Sequence, residues 1–209
     1  NAMPHVGKRL VVNVDLKGFF PNTKFPRILK VLHFRLHGRF SPRAVRLLAV
    51  LCSFSGGLPT GAPTSPAIAN QVLSRADRSI RKAAEAKNVC YTRYADDLTF
   101  SGDGHEPVEI LPFVEEVVGQ FGYQLDPKKT NFFRKGRRQC VTGLVVNQKP
   151  NLAKPLRRRL RAAVHRYVHK KPMEWHGRPM NLTQLLGRLG FLAQTQPEEA
   201  KRLKTLIQA

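Results

Sequence analysis

The sequence predicts an α+β fold, an antiparallel sheet backed by helices and followed by an all-helical segment, and three observations carry that prediction. Apolar and β-branched runs of strand length recur at Arg9 to Leu16 (RLVVNVDL), Tyr91 to Phe100 (YTRYADDLTF) and Gln139 to Asn147 (QCVTGLVVN). Longer stretches between them keep their apolar residues at helical spacing. From Asn151 the strand-like runs stop, which divides the chain into a mixed domain over residues 4 to 150 and a helical one over 151 to 209. The polar start Asn1-Ala2-Met3 reads as a vector scar ahead of an internal start point and carries no weight in the fold reading.

The elements follow in order. Arg9 to Leu16 is a buried strand interrupted only by Asn13 and Asp15, and Phe19-Phe20-Pro21-Asn22 breaks it. Helices are expected near Pro26 to His37 and from Ser41, where Ser-Pro supplies an N-cap and a first-turn proline. A second Ser-Pro pair, Ser65-Pro66, opens a long helix with Ile68, Ala69, Val72, Leu73, Ala76, Ile80, Ala83 and Ala84 on one stripe, ending near Asn88. Tyr91 to Phe100 forms a hairpin with Asp at its turn, where short polar side chains are favoured. A helix over Val108 to Phe121 stops at Gly122, with Pro112 marking a kink or a late start. Phe132-Phe133 and Gln139 to Asn147 are two strands joined by a basic turn. Three helices follow, near Lys154 to His169, Leu182 to Thr195 and Glu198 to Ile207, with a linker around Pro172 to Pro179.

Charge narrows the function. With 36 Lys+Arg against 14 Asp+Glu the formal net charge is +22, a field that makes a polyanion the expected partner, and nucleic acid is the commonest one. An acidic membrane surface is the rival, but no apolar run has transmembrane length and the basic residues are spread along the chain. No membrane is therefore expected as a partner. Cys52, Cys90 and Cys140 suggest neither a disulfide framework nor a zinc cluster, which fits a reducing cytoplasm.

Against that background the adjacent acids Asp96 and Asp97 are costly: two neighbouring carboxylates repel, and desolvation raises their pKa values unless a cation compensates. Mg²⁺ suits such a site, since it takes carboxylate oxygens together with waters and substrate phosphates. Taken alone, the pair reads as well as two turn residues on a solvated loop. Three features weigh against that. Asp15 ends a strand that could pair with the hairpin; the Gly/Pro-rich stretch Leu58 to Pro66 (LPTGAPTSP) leads into a helix N-terminus able to meet an anion; and Lys128-Lys129-Thr130 places a cation after a helix end. The pairs His33/His37 and His165/His169 have metal-compatible spacing but lack completing ligands, and Trp175 reads as a packing residue.

These stretches together resemble a reverse transcriptase, most of all the bacterial retron type, with the group II intron type next. The resemblance rests on Asp15 with Phe19-Phe20, LPTGAPTSP at 58 to 66, YADD at 94 to 97, GYQLDPKKT at 122 to 130 and VTGLVVN at 141 to 147, in the family's order; the VTG favours the retron branch. It implies a polymerase palm over 4 to 150 and a helical thumb over 151 to 209. It further implies two Mg²⁺ ions, with Mn²⁺ as an alternative, held by Asp15, Asp96 and Asp97. Lys129 would protonate the leaving pyrophosphate or contact a phosphate. Phe20 would exclude the ribose 2′-hydroxyl, with Thr60 and Gly61 under the incoming nucleotide, although many relatives carry Gln where Thr60 stands.

Arg157, Arg158, Arg159 and Arg161 would track nucleic acid from the thumb, a merely solubilising face being the alternative. The implied partners are an RNA template, a DNA or RNA primer, dNTPs and a cognate structured non-coding RNA, in a bacterial cytoplasm and with a role in retron DNA synthesis or antiviral defence. The family places its fingers before the first motif, near which this chain begins, so weak or absent polymerisation is expected of these 209 residues alone. The competing readings are a non-catalytic nucleic-acid-binding module on the same fold, and an RNA-dependent RNA polymerase, which Phe20 and the VTG disfavour.

Overall fold

The structure, a computed structural model, describes residues 1–208. Strand β1 (Leu10–Asp15) runs through the middle of a four-stranded antiparallel sheet, beside β3 (Asp97–Gly102) on one edge and β4 (Asn131–Arg134) on the other, with β2 (Cys90–Tyr94) outside β3. The pleat then sorts its side chains. Val12 and Val14 of β1 and Leu98 and Phe100 of β3 turn into the main core, so Asn13, Asp15, Asp97 and Thr99 lie on the opposite face.

A helical layer closes over the apolar face. It contains α1 (Phe19–Asn22), α2 (Phe25–Leu36), α3 (Pro42–Leu51), α4 (Thr64–Ala86), α5 (Glu106–Glu109) and α6 (Leu111–Gln120). The stripe expected on α4 is the one buried, from Ile68 to Ala84, with Ala83 packed at its margin. Ser41 caps α3 as expected, accepting from the Ala44 amide. Ser65 does not cap α4. It sits fully buried inside the first turn, and its hydroxyl donates to the Pro59 carbonyl at 2.7 Å, bracing the loop before the helix. The single helix expected over 108 to 121 is two, broken at Ile110, because Pro107 and Pro112 each suit only a first turn.

The stretch from Gln139 to Asn147 is a hairpin and not one strand. Its arms are β5 (Cys140–Val141) and β6 (Leu144–Val145), and Thr142 and Gly143 both take positive φ between them, as a two-residue type I′ turn requires. The helical segment also carries strands that composition did not reveal. β7 (Asn151–Leu152) extends the β5–β6 sheet, α7 (Lys154–Val168) follows, and β8 (Glu174–Trp175) pairs with β9 (Arg178–Pro179) before α8 (Leu182–Ala193) and α9 (Pro197–Gln208). His176 and Gly177, again both at positive φ, make the β8–β9 turn where a linker was expected. The three helices enclose a core of Leu160, Val164, Leu185, Leu189, Leu192 and Leu203. No helix among the described residues is long and apolar enough to cross a membrane.

Of residues 1–3, Ala2 packs into the fold, while Asn1 and Met3 are exposed. Ala2 is buried with Val11, Val141 and Val146, and the Asn1 side chain donates to the Arg93 carbonyl. A short turn, Met3–His5, then delivers His5 to a fully buried position between Ser101 Oγ (2.7 Å) and Thr92 Oγ1 (2.9 Å). Burial, assisted by the N-terminal charge, pulls the imidazole pKa from 6.5 to about 4.

A neutral His5 has a consequence for stability. Between pH 6.5 and about 4 the unfolded chain binds a proton at this residue and the folded chain does not, so stability falls with pH through that window. The displacement corresponds to a loss on the order of 3 kcal/mol. Urea unfolding at a series of pH values should show this decline, and His5→Asn should remove its part of it.

Candidate active site

Asp15 and Asp97 are direct partners in the β1–β3 ladder. Side chains at opposed positions of an antiparallel pair leave on the same face, about 5 Å apart at Cβ, where like charges destabilise the sheet. Asp96 lies next to them in the two-residue turn between β2 and β3. That turn bends through Ala95 at φ +54°, a left-handed conformation in a residue with a Cβ, which costs on the order of 1 kcal/mol. The hairpin therefore has to be held in place from outside.

Arg93 does much of the holding. Its guanidinium takes Asp77 of α4 in a fork, with Nε–Oδ1 at 2.8 Å and Nη2–Oδ2 at 2.6 Å, while Nη1 donates to the Ala95 carbonyl at 2.8 Å and to Asn70 Oδ1. Burial works against the charge on Arg93, but the hydrogen bond and attraction from Asp77 outweigh it and raise the pKa. Tyr91 adds a hydrogen bond to Asp77. Sequence reasoning missed this group; its one visible signal was an acid, Asp77, inside the otherwise apolar stripe between Ala76 and Ile80.

The strand end bearing Asp15 is clamped on both sides. The Leu16 amide donates to the Asp96 carbonyl at 3.0 Å, the Lys17 amide to the Gln124 carbonyl at 2.9 Å, and the Asp126 amide to the Asp15 carbonyl at 2.8 Å. Asp126 also shapes the turn after it: its carboxylate accepts from the Lys128 amide and its carbonyl from the Lys129 amide and the Thr130 hydroxyl. The chain is thereby turned back, and Lys129 Nζ donates to Asp15 Oδ2 at 2.9 Å. This bond is the main reason the Lys129 pKa is raised. The Asp97 carboxyl is also pushed up, by burial first and then by Asp96 and Asp15, with Lys129 opposing.

Three carboxylates thus share one face with a single ammonium. The donor set is oxygen only and repels itself, which is the chemistry of a hard divalent cation site. In this conformation the three do not converge into a chelate: among the described residues no three His, Cys, Asp or Glu side chains lie close enough to hold a metal, and one oxygen of Asp15 is taken by Lys129.

The other expected residues divide. Phe19 is buried against Tyr123, whose hydroxyl meets Thr23 Oγ1 at 2.6 Å, so it is a core residue; Phe20, tilted against it, keeps part of its ring open. Thr60 and Gly61 are exposed, Gly61 at φ +91°. The loop carrying them is welded to Phe20 by the Leu58 amide, which donates to the Phe20 carbonyl at 3.2 Å. Gly57 permits this: a Cβ there would lie 2.4 Å from the Pro21 carbonyl oxygen. Of the four arginines expected to meet nucleic acid from α7, Arg157 and Arg161 are engaged by Glu199 of α9, Arg159 meets the His176 ring, and Arg158 is exposed.

The pattern of the reverse transcriptase (RNA-dependent DNA polymerase) family matches residues 1–178. The chain belongs to the reverse transcriptase family. Among curated relatives, the Mx65 retron reverse transcriptase of Myxococcus xanthus is 37% identical over 97% of the chain and 50% of that protein. The Ec86 retron reverse transcriptase of Escherichia coli is 31% identical over 99% of the chain and 62% of that protein. The chain spans about half the length of the first of these relatives. The fold also matches apo telomerase from Candida tropicalis, with a TM-score of 0.59 at 9% identity over 98% of the chain and 43% of that structure. Reverse transcriptases as a family use divalent metal ions, in accord with this donor set.

The Arg93–Asp77 fork yields a stability test. Asp77→Ala leaves a largely buried guanidinium without its partner, and losses of about 3 to 5 kcal/mol are usual for that change. Chemical denaturation should show the loss, and Arg93→Lys, which cannot form the fork, should show a smaller one.

Proposed function

We propose that this chain is the palm and thumb of a retron-type RNA-directed DNA polymerase, extending a DNA or RNA primer on an RNA template with dNTPs. The observation that carries the reading is the register that opposes Asp15 to Asp97, with Asp96 in the adjoining turn and Lys129 on Asp15. A binding module for a polyanion has no use for three carboxylates on one face. Family membership and the retron relatives support the reading.

In the proposed reaction the primer 3′-oxygen attacks the α-phosphorus of the dNTP, its proton is released, and the bond to the bridging pyrophosphate oxygen breaks. Two Mg²⁺ ions, or Mn²⁺ in their place, held by Asp15, Asp96 and Asp97, would supply activation of the attacking oxygen and stabilisation of the leaving one. Lys129 is an ammonium at neutral pH like any lysine, its bond to Asp15 holding the proton more firmly still, and from its place beside Asp15 it could hand that proton from Nζ to the leaving pyrophosphate once the bond to Asp15 is released. Phe20 borders the space next to the exposed Thr60–Gly61 loop, where its ring would meet a ribose 2′-hydroxyl. On the thumb, Arg158 and the exposed edges of Arg159 and Arg161 are the cations best placed for phosphate contact. The template is proposed to be a cognate structured non-coding RNA in a bacterial cytoplasm.

Primer extension on an RNA template, measured for the 209-residue chain and for any longer polypeptide that carries it, tests the assignment. Asp96→Asn should lower the rate by roughly a thousandfold or more, the scale on which loss of a key charged group acts; unchanged extension would refute the site. Phe20→Ala should raise NTP use relative to dNTP use, by about tenfold if the ring contributes on the order of 1.4 kcal/mol of exclusion. A preference for NTPs in the parent chain would instead indicate an RNA polymerase.

A further inference from the structure

The sheet face opposite to the acids is covered by helices, and their outer surface holds a groove of about 440 Å³ between α2 and α4. Helical spacing builds its two walls. Arg27, Lys30, Val31, Phe34 and Arg35 line up on α2, and Gln71, Ser74, Arg75 and Arg78 on α4, with Phe121 closing one end. Five of these residues are cationic and no Asp or Glu lines the groove. Among the described residues none of the five is paired with a carboxylate. The nearby acid of α4, Asp77, is spent on Arg93.

The groove also displays an aromatic ring. Phe34 is 69% exposed, although an apolar ring on a helix this basic gains nothing from solvent. Arg35 lies over its face at 5.9 Å and is held there by a hydrogen bond to Gln71. Arg27, in turn, stands 6.0 Å from the Phe121 ring and donates to the Gln120 carbonyl. Two guanidiniums fixed beside two rings, with further cations at helical intervals, form the combination that binds an unpaired strand: cations follow the phosphates and an exposed ring stacks a base. A duplex would satisfy the cations but leave Phe34 without a partner, since its bases are already stacked.

We propose that this groove binds a single-stranded segment of RNA, as a second nucleic-acid site on the side of the palm away from Asp15, Asp96 and Asp97. The assignment does not require the polymerase reading, because none of the groove residues belongs to the acid site. Its occupant is identified by charge complementarity and by the exposed ring.

The test uses the full chain, a short unstructured fluorescent RNA and a duplex of the same length. Replacing Lys30, Arg75 and Arg78 together with Ala should weaken binding of the unstructured RNA by tenfold or more. It should also lower the slope of log K against log salt by about 2, at roughly 0.7 per lost contact on a single strand. Phe34→Ala should weaken the single strand by about five- to tenfold and leave the duplex unchanged. Thiouridine in the RNA should crosslink to α2 or α4. All four positions are exposed, so thermal unfolding should match the parent. Extension of a short primer-template, where the parent shows it, should persist in these variants; if it is absent even from a longer polypeptide that carries the chain, the polymerase reading fails while the groove is still tested by binding. Unchanged affinity and salt slope in the triple variant would overturn the proposal. So would crosslinks confined to other elements, or groove-dependent co-sedimentation with phosphatidylserine vesicles in place of RNA binding.

Discussion

The repulsion between two opposed carboxylates organises much of this molecule. Asp15 and Asp97 cannot be moved apart without slipping the β1–β3 register, and a slip of one residue would turn either Val12 and Val14 or Leu98 and Phe100 out of the core. The apolar face therefore fixes the acids in opposition, at a cost that burial of the other face outweighs. What surrounds them offsets part of the strain: Lys129 lends a charge, Asp126 aims that lysine, and Arg93 keeps the turn with Asp96 from relaxing away. On the proposed reading, stability and function pull in opposite directions at this one pair of positions.

The same division of labour governs the positive charge. Some of it is internal: Arg93 serves the hairpin, and Arg157 with Arg161 joins α7 to α9 through Glu199. Such cations are partly neutralised and contribute less to the outer field than their number suggests. Other cations, Lys30, Arg75, Arg78 and Arg158 among them, stand in solvent without carboxylate partners among the described residues. Long-range attraction for a polyanion comes from this second group.

What could be read from the sequence follows from how local each signal is. Helices with whole-turn periodicity, such as α4, α7, α8 and α9, were legible to within a residue or two, and so was the capping of α3 by Ser41. The three acids were legible because motifs in order marked them, while their opposition in the ladder came only from pairing. Short hairpins were not legible, because Thr142-Gly143 and His176-Gly177 owe their turns to positive φ at residues whose side chains do not announce it. At the N-terminus no periodic pattern announces what the fold uses: it satisfies His5 with two hydroxyls and buries Ala2 beneath β1. Ion pairs such as Arg157–Glu199 depend on how helices distant in sequence meet, which no local pattern records.

Gly57 carries a mechanical implication. Because its bare α-carbon lies against the Pro21 carbonyl and the next amide is bonded to Phe20, the strap from Asp15 through Phe20 and the loop through Gly61 are riveted at one point. Motion that opened the loop would pull on the segment that follows the acid strand. The two walls of that space would then travel as one jaw, and on the roles proposed for Phe20 and for Thr60 and Gly61, selectivity for the sugar and placement of the base would be inherited together and be hard to alter one at a time.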